Sequence, residues 1–272
     1  MPVASTTQDA YNKRIEKLKT LTDAKVTNTR KMIKVVNEMD VTPGTRKNYF
    51  IALHSVTKGT KAGEKYKEQF MKNDEIAKKT PLPPPPDITY EQIQTVGLKI
   101  MNDEKISLED RILVGLSTQI NPLRLDYCKL PVNPKERKGN YILLNGPNDS
   151  QIVITEHKTS KVMLKLYGDP TLSRKLTPEL HALIKQWHDA NKDSLLLNIS
   201  TNLLGKRLTR VFAKHSTLHV TQNVIRHAYV TMARKGDRQL AVVSKIAKDL
   251  GHSVTTNELY RYDNYGLGEA SL

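Results

Sequence analysis

The sequence contains little cysteine, few aromatic residues and no long hydrophobic run. Its 272 residues include one cysteine, Cys128, and 6% aromatic side chains. A lone cysteine can neither close an intramolecular disulfide nor build a multi-cysteine zinc site, which excludes a disulfide-stapled secreted scaffold and favours a reducing compartment. A membrane-spanning helix needs ~18 or more consecutive apolar residues. The first residues lack the apolar stretch of a signal peptide, so we expect an intracellular protein without a membrane span.

Several familiar catalytic motifs are also missing. The sequence has no glycine-rich phosphate loop ending in Lys-Ser/Thr, no Gly-x-Gly-x-x-Gly after a predicted strand, and no His-Glu-x-x-His. These absences exclude the P-loop nucleotide hydrolases, the dinucleotide-binding dehydrogenases and the zinc metalloproteases that use those motifs.

Acidic residues are scarce relative to basic ones. The chain holds 43 Lys and Arg against 28 Asp and Glu, a formal net charge of +15. Residues 1–80 hold 17 of the basic and 9 of the acidic side chains. Their net positive charge per residue is more than twice that of the remainder. Such a field attracts polyanions, with nucleic acid the leading partner and an anionic membrane second. A merely solvated surface is the alternative.

Prolines mark the clearest domain boundary. Five of the six residues at positions 81–86 are proline, and such a run enters neither a helix nor the interior of a sheet. Before it, apolar residues recur at helical spacing, so residues 1–80 are predicted to form a small all-α domain. We assign residues 81–87 to a linker and residues 88–272 to a second, larger domain.

The second domain is predicted to be α+β and mostly helical. Capping-box patterns at Thr89 and Ser107 open two helices, and Thr177-Pro178 opens another. Three β-rich runs, at 141–144, 151–154 and 161–166, predict a small three-stranded antiparallel sheet. Further helices are predicted near 178–190, 200–214, 221–235, 238–249 and 256–263.

Basic residues and tyrosines occur in a spaced series through this domain. Arg124 follows an apolar helix in the segment 117–130, where its guanidinium offers a rigid fork for two phosphate oxygens. Alternatively, this arginine has a structural role and forms an ion pair with Asp126. Lys158 lies between two predicted strands. Farther along, the sequence reads Asn-Val-Ile-Arg-His at 223–227 and Leu-Gly-His-Ser at 250–253, followed by Tyr260.

In order, and partly in spacing, these segments resemble the tyrosine recombinases, or phage-type integrases. The resemblance spans roughly residues 88–265, and the N-terminal domain matches the family's helical DNA-binding domain in type only. It implies that two arginines and a histidine surround a scissile DNA phosphate, a lysine protonates the leaving 5′ oxygen, and a tyrosine forms a 3′-phosphotyrosyl bond. The site residues that the resemblance implies are Arg124, Lys158, Asn223, Arg226, His252 and Tyr260.

Two departures from the family pattern affect this assignment. Asn223 stands where the family usually has a histidine, and an asparagine can hydrogen-bond a phosphate but cannot shuttle a proton at neutral pH. The usual tyrosine position is Arg261, flanked by Tyr260 and Tyr262, whose side chains would face opposite sides of a helix. We favour Tyr260 as the nucleophile, with Tyr262 second and Tyr265 third.

The resemblance also implies partners and cofactors. The expected partner is double-stranded DNA, bound by a homotetramer on paired sites, with no membrane, no ATP and no obligatory metal. Two other functions stay open: a DNA-binding protein of the same fold with impaired catalysis, and a monomeric relaxing enzyme like the type IB topoisomerases. For each of these functions, we expect the protein to be located in the compartment that holds its target DNA.

Overall fold

Four helices make up the described part of the N-terminal unit. The computed structural model describes residues 5–79, 88–124, 126–157, 159–192, 194–233 and 240–251. The chain divides into two compact units, Met1–Pro83 and Pro84–Leu272. The first contains α1 (Ser5–Leu21), α2 (Thr29–Glu38), α3 (Pro43–Thr57) and α4 (Lys61–Lys79).

A small hydrophobic core holds these four helices together. Helix α3 begins at Pro43 because the Thr42 side chain accepts a hydrogen bond from the Thr45 amide. Its buried face meets residues of the other helices, and the Tyr66 hydroxyl donates to the Val26 carbonyl at 2.6 Å. The buried core residues of this unit are Leu18, Met32, Val36, Tyr49, Phe50, Leu53 and Tyr66. The N-terminal unit therefore has a core of its own.

Helix caps predicted from the sequence are present in the second unit. Thr89 and Gln92 form the reciprocal capping box that opens α5, Ser107 caps α6, and Thr177 caps α8 ahead of Pro178. The helices of this unit are α5 (Tyr90–Asn102), α6 (Leu108–Thr118), α7 (Ser160–Tyr167), α8 (Pro178–Ala190), α9 (Thr201–His215), α10 (Gln222–Ala233) and α11 (Leu240–Asp249).

The small antiparallel sheet is present, but its third strand is not the one predicted. Strands β1 (Tyr141–Leu143), β2 (Gln151–Ile154) and β3 (Leu172–Lys175) pair in that order, with Ile152 opposite both Ile142 and Arg174. The predicted strand at 161–166 is wrong, because this stretch forms α7, which ends at Gly168 with a φ of 73°. The β-rich run misled the prediction: in the helix Met163 is buried, whereas Val162, Leu164 and Leu166 are exposed.

The helices and sheet of this unit share one large core. Helix α6 is buried along most of its length and packs against α5, α8 and α9, while α10 packs against α5, α6 and α9. The fold class predicted from the sequence, α+β and mostly helical with a small antiparallel sheet, is confirmed. Among the described helices, none combines the length and apolar character needed to cross a membrane.

Candidate active site

Arg226, one of the predicted site residues, is almost completely buried. Its side chain is 1% exposed on α10. The Nη1 atom donates to the Pro122 carbonyl at 3.3 Å, and the Nη2 atom donates to the Leu250 carbonyl at 3.1 Å. A buried guanidinium is costly without such bonds. It therefore joins three parts of the chain, which we call the Arg226 junction: residues 122–124, Arg226 and residues 250–251.

Gln222, one turn before Arg226 on α10, holds the neighbouring carbonyl. Its Nε2 atom donates to the Leu123 carbonyl at 2.5 Å and to the Tyr127 hydroxyl at 3.2 Å. That hydroxyl in turn donates to the Leu123 carbonyl at 3.3 Å. Burial raises the pKa of Tyr127, which keeps its hydroxyl a donor. The carbonyls of two successive residues just before Arg124 are thus fixed from α10.

Arg124 and Asp126 follow this fixed segment, and both are half-buried. The Asp126 amide donates to the Arg124 carbonyl at 2.7 Å, which makes a tight turn. Burial raises the pKa of Asp126, because a carboxylate loses hydration there. The electrostatic effects of His157, Arg124 and Arg226 oppose that rise. Both predicted arginines and a histidine therefore lie within electrostatic range of one carboxylate.

The side chain of Asn140 ties this turn to the sheet. Its Nδ2 atom donates to the Glu156 carbonyl at 2.8 Å and to the Asp126 carbonyl at 3.4 Å. Its Oδ1 atom accepts from the Thr155 and Glu156 amides at 2.9 and 2.8 Å. One asparagine before β1 thus links the end of β2 to the turn that carries Arg124.

The residues on either side of Lys158 contact the end of α11. The Thr159 hydroxyl donates to the Gly251 carbonyl at 2.6 Å, so it accepts from the Nδ1 atom of His157 at 3.0 Å. The Nε2 atom of His157 lies 2.8 Å from the Pro170 carbonyl, an acceptor. Each ring nitrogen of His157 thus lies within hydrogen-bond distance of an oxygen atom, one in Thr159 and one in Pro170.

Gly251 fits closely against this connection. It has a φ of +65°, a conformation that glycine adopts at little cost. A Cβ atom there would lie 3.2 Å from Leu172 Cδ1 and 3.4 Å from Thr159 Oγ1. Close to this point, Arg174 of β3 donates from Nη2 to the Asp249 carbonyl, and burial lowers the pKa of this arginine. The last turn of α11 is thus held against the sheet.

Three of the predicted site residues, Lys158, His252 and Tyr260, lie outside the described residues, as do Tyr262 and Tyr265. Their sequence neighbours are informative. The Thr159 side chain bonds to the Gly251 carbonyl, so the described neighbours of Lys158 and His252 are in contact. The sequence had predicted a turn between two strands at Lys158, but the described elements on either side of this position are β2 and α7.

Asn223 faces solvent, whereas Arg226 faces the core. It lies in the first turn of α10, is exposed, and lines an open groove beside α9. Arg226, three residues later, points into the core and is buried. The structure therefore brings the segments around Arg124, Lys158, Arg226 and His252 together, and it places Asn223 at the edge of that arrangement.

Sequence reasoning missed four residues that fix this arrangement: Asn140, His157, Arg174 and Gln222. Gln222 had a detectable signal, because it lies four residues before Arg226 and so shares its helix face. The other three act through main-chain carbonyls far away in sequence, and no spacing rule reveals such bonds.

Comparisons with known proteins give weak likenesses. No protein-family model matches the chain, and no curated protein matches its sequence. The crystal structure of XerA recombinase is similar, with 16% identity and a TM-score of 0.45 over 93% of each chain. The Tn1549 transposon integrase, in complex with a circular intermediate DNA, has 14% identity and a TM-score of 0.43 over 94% of each chain. Because these values are low, we infer function from the residues of the site itself.

Proposed function

We propose that the chain is a tyrosine recombinase that cleaves and rejoins DNA through a 3′-phosphotyrosyl intermediate. One observation carries the proposal. Four segments that the sequence singled out, around Arg124, Lys158, Arg226 and His252, converge on the Arg226 junction and the adjoining Thr159–Gly251 hydrogen bond.

The junction suits an attack on a phosphodiester because positive charge is concentrated there. Arg124 and Arg226 lie within electrostatic range of Asp126, and Arg226 is buried. A positive group in a water-poor setting stabilises developing negative charge far better than one in bulk water. We assign both arginines and His252 to the non-bridging oxygens of the scissile phosphate.

The proposed reaction balances without an external reactant. The Tyr260 hydroxyl releases its proton to water as its oxygen forms a bond to phosphorus, while the bond from phosphorus to the 5′ oxygen breaks. Lys158 gives its proton to that leaving oxygen. A 5′ hydroxyl of a partner strand then reverses the step, and the phosphotyrosyl bond conserves the free energy of the original linkage.

A DNA-binding protein with impaired catalysis is the second candidate. Two observations favour it: both Nη atoms of Arg226 donate to main-chain carbonyls, as a structural arginine would do, and Asn223 cannot act as a general base. In this case the junction would stabilise the fold without touching DNA.

A duplex nicked beside the cleavage site separates these functions. Loss of the short fragment after attack prevents rejoining and traps the covalent complex. A covalent adduct on denaturing gels supports cleavage, whereas tight binding without an adduct on any target, including the protein's own site, supports the second candidate. Paired sites held in a tetramer then distinguish a recombinase from a relaxing enzyme that acts as a monomer.

A further inference from the structure

A long stretch of the second unit contains no acidic residue. Between Asp193 and Asp237 the sequence has seven Lys and Arg and three His, but neither Asp nor Glu. Helices α9 and α10 both lie inside this stretch. Surfaces of soluble proteins ordinarily mix both signs of charge, so this part of the molecule carries a local positive field.

Three basic residues of α9 form an exposed line. Lys206, Arg210 and Lys214 recur every four residues, so they share one side of the helix and span about 12 Å along its axis. Within the described part of the chain, no ion pair neutralises them. We call these three residues the α9 basic face.

Arg207, their neighbour, is bound differently. Its Nε atom lies 2.5 Å from Asp110 Oδ1, and its Nη1 atom lies 2.8 Å from Glu109 Oε2. These pairs attach α9 to the first turn of α6 and raise the pKa of the guanidinium against the opposing effect of burial. One arginine of α9 thus fixes the helix, while the α9 basic face stays open to solvent.

The α9 basic face borders concave surfaces. A groove of about 620 Å³ runs between α9 and the start of α10, lined by Lys206 and Arg210 together with His219 and Asn223. A second depression, of about 370 Å³, is lined by Arg210 and Lys214. Hydroxyl and amide side chains, among them Thr201 and Thr209, complete the larger groove.

We propose that the α9 basic face and its groove bind the sugar–phosphate backbone of duplex DNA. Threonine, asparagine, lysine and arginine side chains are the usual partners of phosphate oxygens. The extended line of charges suits a polymer, whereas a small anion is held by donors that converge on one point. A membrane-binding face needs a broad apolar side, and Leu203 is the exposed large apolar residue on α9.

The groove adjoins the candidate active site. Gln222 lines the groove and also donates to the Leu123 carbonyl beside Arg124. A duplex lying along the α9 basic face would therefore run past the Arg226 junction. The inference rests on the proposed function in one respect, because that function identifies the bound polyanion as DNA. It does not require that the protein cleave the DNA.

Salt-dependent binding by the full-length protein tests this inference. The double variant Lys206→Gln, Lys214→Gln removes two charges of the face. The matched control Lys99→Gln, Lys192→Gln removes two exposed charges elsewhere, on α5 and after α8. Fluorescence anisotropy with a labelled duplex would give log K against log salt concentration. We expect the slope to become shallower by ~1.8 in the first variant, because each phosphate that a cation neutralises contributes ~0.9.

The control should retain the wild-type slope. The affinity of the first variant for DNA should fall by the same factor for two unrelated duplex sequences. A wild-type slope in the Lys206, Lys214 variant would overturn the inference. So would a variant that keeps its affinity for DNA but loses affinity for phosphatidylserine vesicles or for duplex RNA.

The nicked duplex, supplied in excess at low salt, separates this outcome from the proposed function. A wild-type slope in the variant together with an adduct in the wild type means that only the groove assignment fails. A shallower slope without any wild-type adduct means that the surface binds DNA and the proposed catalysis fails.

Discussion

Gln222 and Arg226, one turn apart on α10, donate hydrogen bonds to the carbonyls of two successive residues, Leu123 and Pro122. The helical repeat places their side chains on one face of α10. The segment that carries Arg124 is therefore aligned by a rigid helix and not by local turn preferences. A change in either side chain should move Arg124 as well as weaken the fold.

Arg226→Lys should abolish strand cleavage while DNA affinity changes only by a small factor. Lysine keeps the positive charge but loses the planar fork, and it cannot hold the Pro122 and Leu250 carbonyls together. We expect a loss of at least ~10²-fold in the cleavage rate and of ~1–3 kcal/mol in the free energy of unfolding. Single-turnover cleavage and denaturant unfolding measure the two effects.

Arg111→Lys is the matched control. Arg111 is half-buried, and its Nε atom donates to the Met101 carbonyl at 2.5 Å. This variant should lose stability but cleave DNA at close to the wild-type rate. Cleavage by the Arg226→Lys variant at near wild-type rate would remove Arg226 from the active site and leave it a structural role.

Gln222→Met should reduce stability by ~1–2 kcal/mol, because the Leu123 carbonyl loses one of its two buried donors and keeps the Tyr127 hydroxyl. Combined with Arg226→Lys, it should show a coupling energy of at least ~0.5 kcal/mol, since both side chains hold one segment. Combined with Arg111→Lys, the two losses should add. Denaturant unfolding of the single and double variants measures these losses in the free energy of unfolding. If the losses added in both pairs, Gln222 and Arg226 would not act on one shared segment.

Asp126→Asn should reveal a pH-dependent stability. Burial raises the pKa of Asp126, so the folded state holds this proton more tightly than the unfolded chain does. The wild type should therefore lose stability as the pH rises from the unfolded value of ~3.9 through the raised folded value. The asparagine variant cannot titrate here, so its stability relative to the wild type should increase over that window. Thermal unfolding at acidic and neutral pH measures the difference, and a constant difference would contradict the prediction.

Removing residues 1–80 should weaken DNA binding more than it destabilises the rest. The N-terminal unit has its own core and a higher density of basic residues, whereas the large core lies wholly beyond it. For a fragment of residues 88–272, the plot of log K against log salt concentration should have a shallower slope. The slope should change by ~0.9 for each phosphate that the N-terminal unit neutralises in the full-length protein. If the fragment bound duplex DNA with full affinity and the same slope, the N-terminal unit would bind no phosphates.

Tyr260→Phe should eliminate the covalent adduct and leave folding and DNA binding nearly unchanged, because it removes a single oxygen. A phenol has an ordinary pKa of ~10, so attack needs a positive surround that stabilises the developing charge. Tyr262→Phe should retain at least partial activity, because two residues on a helix differ by ~200° in direction. The reverse pattern would assign the attack to Tyr262.

Local signals in the sequence predicted much of the fold. The caps at Thr89, Ser107 and Thr177 depend on side chains that bond to amides three residues away, so their pattern is readable along the chain. The stretch at 161–166 is a β-rich run by its local sequence, but it forms a helix that buries Met163. Local pattern alone cannot reveal which face a short segment buries.

The site was predicted less completely than the fold. Arg124 and Arg226 stand in recognisable motifs, and their convergence follows from those motifs. The bonds that position them are side-chain contacts to main-chain carbonyls far away in sequence, as with Asn140 and Thr159. Such bonds depend on the three-dimensional path of the chain, which no residue spacing encodes.

The most direct test is mass spectrometry of the protein trapped on a nicked duplex that carries its target site. Proteolysis of the denatured adduct would leave one tyrosine-containing peptide joined to a 3′ phosphate. We expect this peptide to contain Tyr260 and the Tyr260→Phe variant to yield none. An adduct at any other tyrosine would contradict the assignment of Tyr260, and a wild-type protein that binds this duplex without forming any adduct would contradict the proposed cleavage.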